Sequence, residues 1–213
     1  MKNIGILCGG YSPEFEISMK SGKLILDNFP NEYQGIIIEV HQEKWLAHYK
    51  DSKYDFNKED LFFTVDGEKI AIDVALIFIH GTPGEDGKLQ AYFDMNKVPY
   101  INSGALASEL AFDKWYCNQF LKGFGVKVAD SLRLKSIEDY SEKTIIGRLG
   151  LPCFVKPSDS GSSYGISRVN ERSELKPALE AAFKEGDSII VESFLDGVEV
   201  TCAVYEKKSG LHA

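Results

Sequence analysis

Residues 153–165 read CFVKPSDSGSSYG: an apolar, strand-like triplet hands Lys156 and Pro157 to a loop built of serine and glycine. Such a loop can turn several backbone N–H groups and hydroxyls toward one point, and the lysine beside it makes that point cationic. A polyphosphate suits it. The same residues also suit a surface hairpin with a solvated lysine, because Gly/Ser loops are common in turns that hold no ligand. On either reading the stretch supplies two strands, at 153–156 and 165–169, joined by the serine loop. Around them we expect a strand over 126–133, a short helix over 143–149, a helix over 174–183 capped by Ser173, a buried strand over 187–192 and an antiparallel return over 198–205. That unit is α+β.

Upstream the pattern changes to buried strands alternating with helices, an α/β unit with an open parallel sheet. Residues 3–8 form an apolar strand that Gly9 and Gly10 stop, and the helix after it has Ser12 as cap and Pro13 at its first position. It runs to about Asn28 with Ile17, Ser21, Leu24 and Ile25 turned inward. Glu14 and Glu16 fall in its first turn, where the helix dipole favours carboxylates. The glycine turn lacks both the G-x-G-x-x-G spacing and the P-loop lysine. Further strands are expected at 35–40, 74–79 and 98–101, a hairpin around Asp66 and Gly67, and helices over 88–96 and 103–111. The rest of the stretch up to Asp60 carries no assignable pattern.

The 74–79 strand ends in HGTPGEDG, a second glycine-rich loop at a strand's carboxyl end, where open α/β sheets bind ligands. His80, the first residue of that loop, is readable as a ligand-facing group or as a strand-end histidine bonded to a loop carbonyl. Asp113 caps a helix that runs to Phe124 with Tyr116, Phe120 and Leu121 inward. The boundary between the units falls here, giving domains 1–124 and 125–213. Lys114 then sits in a helix's first turn, where a cation opposes the dipole. It needs an anionic partner or it is solvated.

The net charge of −8 argues against a nucleic-acid or anionic-membrane surface, since phosphate backbones select for clustered lysine and arginine. A small anionic ligand in a local cationic pocket remains compatible with it. Cys8, Cys117, Cys153 and Cys202 show no metal-ligand spacing and read as reduced, buried thiols. The opening MKNIGILCGG is too short an apolar run for a signal peptide or a membrane span, so a soluble cytoplasmic protein is expected.

Five segments, GGYSPEFEIS, HGTPGEDG, INSGALASELAFDK, CFVKPSDSGSSYGISRV and VESFLDGVEVT, occur in the order and near the spacing found in D-alanine–D-alanine ligases of the ATP-grasp superfamily. The chain resembles that family from residue 3 to residue 204. The resemblance implies a Rossmann-like N-terminal domain, an ATP-grasp central subdomain, and a C-terminal ATP-grasp portion that is missing or incomplete. It also implies ATP-dependent formation of D-alanyl-D-alanine through an acylphosphate, for peptidoglycan precursors, by a homodimeric enzyme. By the same resemblance Lys114 and Lys156 would hold the α- and β-phosphates, and the loop from Ser158 to Gly165, with Ser162 and Ser163, would close over them. Glu14 would hold the ammonium of the first D-alanine, bonded by Ser162, and His80 would lie near the D-alanine carboxylates. Glu192, Phe194 and the main chain at Leu195 would meet adenine, and Glu199 the ribose hydroxyls.

Some residues depart from the family pattern. Tyr11 and Phe15 stand where small or basic residues are usual, and Tyr164 where a small aliphatic is. The acidic residues and asparagine that bind Mg2+ or Mn2+ in the family would lie beyond residue 213, so no metal ligand is assigned in this chain. The chain is then a fragment of a longer ligase or a shortened relative. Two other readings stay open: another ATP-grasp carboxylate–amine ligase, including depsipeptide-forming or D-serine-adding relatives, and a non-catalytic nucleotide- or D-amino-acid-binding module.

Overall fold

The apolar run at the N-terminus becomes, in the computed structural model, which describes residues 1–161 and 164–213, the strand β1 (Lys2–Gly9), with Ile6, Leu7 and Cys8 fully buried. A strand hydrophobic on both faces needs covers on both sides, and the chain supplies them. In order follow α1 (Phe15–Asp27), β2 (Tyr33–Val40), β3 (Trp45–Tyr49), β4 (Ser52–Phe56), β5 (Phe62–Val65), β6 (Glu68–Ala71), β7 (Val74–Ile77), α2 (Lys88–Met95), β8 (Tyr100–Ile101), α3 (Ala105–Phe112) and α4 (Lys114–Gly123). Among the described residues a six-stranded sheet runs β4-β3-β2-β1-β7-β8. Its pairs β2–β1, β1–β7 and β7–β8 are parallel, and β3 and β4 are antiparallel additions at one edge.

That edge hairpin fills the stretch for which the sequence offered no pattern. Its turn places Lys50 and Asp51 at positive φ, with Trp45 and Ala47 buried against the sheet. The hairpin expected at Asp66 and Gly67 forms between β5 and β6, with both turn residues at positive φ.

The second unit comprises β9 (Ser131–Leu134), α5 (Glu142–Leu149), β10 (Cys153–Pro157), β11 (Ser167–Val169), α6 (Arg172–Ala182) and β12 (Ile189–Ser193). Its antiparallel sheet runs β11-β10-β12-β9 and packs α5 and α6 around Leu175, Leu179, Val155, Ile189 and Val191. This core is distinct from the one beneath the first sheet, built on Leu7, Ile36, Ile38, Phe63 and Phe93. A last hairpin pairs β13 (Tyr205–Lys207) with β14 (Gly210–His212). No helix among the described residues is long and apolar enough to cross a membrane.

Several expectations are corrected. The first helix begins at Phe15, with Glu14 at its cap; Ser12 instead donates its hydroxyl to His80 O at 2.8 Å and accepts the Glu14 N–H. Its buried positions are Ser18 and Gly22, whereas Ile17 and Leu24 are exposed. The reason is close approach: a Cβ on Gly22 would stand 2.7 Å from Cys8 Sγ, and Ser18 ties its hydroxyl to Phe78 O and Gly9 N. Small residues let α1 sit on β1, so the bulky apolar residues at its flank are not what docks it.

Tyr116 and Phe120 of α4 are likewise exposed, because that helix is tied down through its first turn and not through an apolar stripe. Pairing supports β9 only from Ser131, and the 198–205 return is absent: residues 196–204 carry no regular structure and Val198 and Val200 are exposed. The helix expected from Ser173 starts at Arg172, behind a capping box between Glu171 and Glu174.

Candidate functional site

The site is assembled from strand ends and helix starts. Asp113 accepts the N–H groups of Trp115 and Tyr116 at 3.0 Å, which satisfies the first turn of α4 and fixes Lys114 beside it. Lys114 donates its ammonium to Ser160 O at 2.5 Å and its backbone N–H to Ser158 O at 2.8 Å, so α4 grips the serine loop where it leaves β10. Burial, followed by repulsion from Lys156, pulls the Lys114 ammonium below the ordinary lysine range, while Asp159, Asp113 and Glu192 act the other way. Two lysines from separate elements thus stand near enough to oppose each other's charge.

Lys156, on β10, forms an ion pair with Glu192 across the sheet on β12. Glu192 is buried, and its second oxygen accepts from Asn118 Nδ2 at 2.6 Å. Asn118 was not singled out in the sequence, although it lies four residues after Lys114 on the same helical face, a spacing that would have pointed to it. Phe194 stacks on Phe154 with centroids 6.2 Å apart and carries the Arg168 guanidinium 4.8 Å above its ring. Leu195 and Glu199 lie on the exposed irregular segment after β12. Ser162 and Ser163 lie outside the described residues.

Two cavities flank the described part of the loop. One, of about 570 Å³, is lined by Phe78, His80, Ala107, Phe112, Lys114 and Gly161 among others. The other, of about 350 Å³, shares Phe112, Ser160 and Gly161 with it and adds Tyr11, Glu14, Asp86, Asp159 and Glu185. Both volumes fall in the roughly 300–1,000 Å³ range of small-molecule sites. The first combines an ammonium and an imidazole with apolar walls and with Glu85, one oxygen of which is taken by Gly81 N–H, so its cationic side suits a carboxylate on a small aliphatic body. The second has an acidic mouth, in which Lys88 is paired with Asp86 at 2.5 Å, and that lining suits an amine. Glu14 and His80 therefore stand on adjoining cavities that meet at Phe112 and Gly161.

The loop at 80–87 is pinned from several sides. Gly81 N–H donates to Glu85 Oε2 at 2.7 Å, Gln90 Nε2 to Gly84 O at 2.7 Å, and Tyr11 N–H to Thr82 O at 3.0 Å. Among the described residues, no group of three or more His, Cys, Asp or Glu side chains converges so as to hold a metal ion.

With this geometry in view, the comparisons with known proteins are specific. A family profile described as D-ala D-ala ligase N-terminus matches residues 3–103, and one described as D-ala D-ala ligase C-terminus matches residues 120–212. The chain is 40% identical over 209 residues to the D-alanine–D-alanine ligase of Bacteroides fragilis, an alignment covering 97% of this chain and 64% of that protein. It superposes with a TM-score of 0.86 on the VanG D-Ala:D-Ser ligase from Enterococcus faecalis, at 29% identity, covering 99% of this chain and 67% of the other. It superposes with a TM-score of 0.72 on the D-alanine–D-alanine ligase from Bacillus anthracis complexed with ATP, at 26% identity over 92% of this chain and 61% of that one. The chain thus spans just under two-thirds of the length of the curated relatives it matches. Matched in order by both halves of the family, over nearly all of its length, the chain belongs to the D-alanine–D-alanine ligase family.

Proposed function

We propose that this chain forms the substrate- and nucleotide-holding part of an ATP-dependent ligase that joins two D-alanine molecules for peptidoglycan precursors. In the reaction a carboxylate oxygen of the first D-alanine bonds to the γ-phosphorus of ATP as the bond to ADP breaks. The deprotonated amine of the second D-alanine then attacks the acyl carbon, and phosphate leaves. Such chemistry asks the protein mainly for alignment and neutralisation of charge.

The observation that carries the reading is that Lys114, His80 and Glu14, drawn from three separate motifs, line two adjoining cavities bounded by the serine loop, with Lys156 of a fourth motif near enough to Lys114 to oppose its charge. Lys114 and Lys156 would hold phosphates. Glu14, in the acidic mouth, would hold the ammonium of the first D-alanine, and His80 would face a carboxylate. Glu192 would accept from the exocyclic amine of adenine near Phe194 and Leu195, and Glu199 would accept from the ribose. Ser162 and Ser163 keep the roles the resemblance implies, in the loop and beside Glu14. Mg2+ would neutralise phosphate charge.

Domains at 1–124 and 125–213, a cytoplasmic location and a homodimer belong to the same proposal; sedimentation of the full-length protein tests the last. The experiment for the reaction gives the full-length gene product ATP, magnesium and D-alanine, and expects phosphate release in proportion to dipeptide. Phosphate release with L-amino acids but not with D-alanine would overturn the substrate assignment. The similarity to a D-Ala:D-Ser ligase favours one second reading, D-serine as the second substrate, and competition between D-serine and D-alanine in the same assay decides it.

A further inference from the structure

Ser158, the first residue of the serine loop, is fully buried, yet every polar group it carries is bonded. Its N–H donates to Ser188 O at 2.7 Å, and its carbonyl accepts the Lys114 N–H. Its hydroxyl donates to Asp113 Oδ1 at 2.6 Å. A ring of contacts then closes through the second unit. Arg133 on β9 donates Nε to Ser188 Oγ at 2.7 Å, and its Nη2 stands 3.8 Å from Asp113 Oδ2. The guanidinium also lies over the rings of Trp115 and Tyr116, at 5.3 and 4.7 Å.

Capping alone does not explain this ring. Asp113 already accepts both first-turn N–H groups of α4 at 3.0 Å, so the longer 3.4 Å contact from Trp115 N–H to Ser158 Oγ only shares a donor that the cap has satisfied. A buried hydroxyl must find a partner, but it could have found a carbonyl of its own sheet. It reaches instead across 45 residues of sequence to the residue before Lys114.

We infer that Asp113 and Ser158 are positioning residues for the Lys114 ammonium, locking the first turn of α4 to the start of the serine loop so that the lysine is aimed at Ser160 and the loop's inner side. The inference deepens the phosphate role proposed for Lys114 and rests on it for its purpose, though not for its geometry. Asp113 contributes more than shape. The charged groups around the Lys114 ammonium are Lys156, Asp159, Glu192 and Asp113, and Asp113 is one of the three carboxylates that offset burial and Lys156.

The test is amine acylation of the 213-residue chain across a pH series, with modification at Lys114 quantified by peptide mass spectrometry and exposed Lys97 as the internal reference. Asp113→Asn keeps an oxygen that caps the helix and accepts from Ser158, yet removes the charge. It should move half-modification of Lys114 to lower pH while leaving that of Lys97 in place, because one of the carboxylates that favour the charged ammonium is gone. Ser158→Ala should raise the Lys114 rate relative to Lys97 at least about threefold as the clamp loosens.

An Asp113→Asn profile that coincides with that of the unaltered chain would reduce Asp113 to a helix cap and overturn the inference. So would an unchanged Lys114 rate in a folded Ser158→Ala. If Ser158→Ala fails to fold, the Asp113→Asn profile decides alone. The readout uses no nucleotide, so failure of magnesium-ATP to bind the full-length protein would overturn the phosphate role and leave this result standing.

Discussion

The two glycine-rich loops meet at the same cavities and are held in opposite ways. The loop at 80–87 is closed on itself: Gly81, Pro83, Gly84, Asp86 and Gly87 are buried, and its carbonyls and N–H groups bond to Glu85, Gln90, Ser12 and Tyr11. The described part of the loop after β10 is fixed at its first residue by Ser158 and next touched by the Lys114 ammonium through Ser160 O. The first uses packing, main-chain groups and carboxylates of its own, Glu85 on Gly81 N–H and Asp86 beside Lys88. The second uses a cation that a phosphate could claim, so its contacts can be exchanged where those of the first cannot.

That contrast is broken most severely at Gly87. Its φ is +78°, and a Cβ there would stand 2.4 Å from the backbone oxygen of Ala105, which opens α3. Neither the backbone angle nor a main-chain oxygen can give way cheaply, so Gly87→Ala should cost about 3 kcal/mol or more. Urea denaturation of the chain measures it. A midpoint within error of the unaltered chain would mean that the 80–87 loop is not the rigid partner.

The sheet under the rigid loop also closes its own charges. Glu39, buried on β2, has His41 Nε2 at 2.7 Å from one oxygen and His48 Nε2 and Lys53 Nζ at 2.6 Å from the other. Burial alone would push this carboxyl up, but hydrogen bonds from Lys53, His41 and His48 outweigh it and hold it at about 2. A carboxyl depressed on folding adds stability that is present above its unfolded value and lost as pH falls from about 4.5 toward 2. Glu39→Gln should therefore remove about 2–3 kcal/mol at neutral pH and flatten the acid limb of a urea-midpoint series between those values. An acid limb as steep in the variant as in the parent would show that other carboxylates carry it.

Which parts of this were legible in the sequence follows from the range of the interactions. The parallel strands, the β5–β6 hairpin and the Asp113 cap were readable because each depends on residues within a few positions: apolar runs, Asp66 with Gly67, an aspartate before a helix. The β3–β4 hairpin was not, since a strand at a sheet edge carries Lys53 and Asp55 exposed, with only Tyr54 between them packed on the core, and so shows too short an apolar pattern to mark a strand. The docking face of α1 was misread for the opposite reason: close approach selects Ser18 and Gly22, which a search for apolar stripes passes over. Around the lysines, the residue types were visible but their pairing was not. Glu192 bonds to Asn118 from 74 positions away, and Ser158 to Asp113 from 45.

If the exchangeable contacts belong to the serine loop's side of the site, removing its lysine should cost ligand affinity before it costs the fold. Lys156→Ala leaves Glu192 with Asn118 alone and leaves phosphate charge unmatched in a partly dry site. Affinity of the full-length protein for ATP should fall by at least ~2 kcal/mol, about 30-fold. Calorimetric titration reads it, and ATP affinity within threefold of the parent would count against the phosphate role.

The smallest expected effect is the sharpest comparison, because it repeats the Gly87 substitution in the other loop. Among the described residues a Cβ on Gly161 would meet Glu14 Oε2 at 3.3 Å and no main-chain atom, whereas the nearest atoms to a Cβ on Gly87 are main-chain atoms of Ala105. A side-chain carboxylate can shift by the few tenths of an ångström this requires, so Gly161→Ala should change the urea midpoint by no more than about 0.5 kcal/mol. The displaced group is the one proposed to hold the D-alanine ammonium, and Gly161 lines both cavities. The KM for D-alanine of the full-length enzyme should therefore rise a few-fold while that for ATP stays put, since uniform loss at one subsite moves one KM alone. Equal rises in both constants would mean that the loop moves as one piece with the nucleotide site, and that Ser158 does not hold its first residue still.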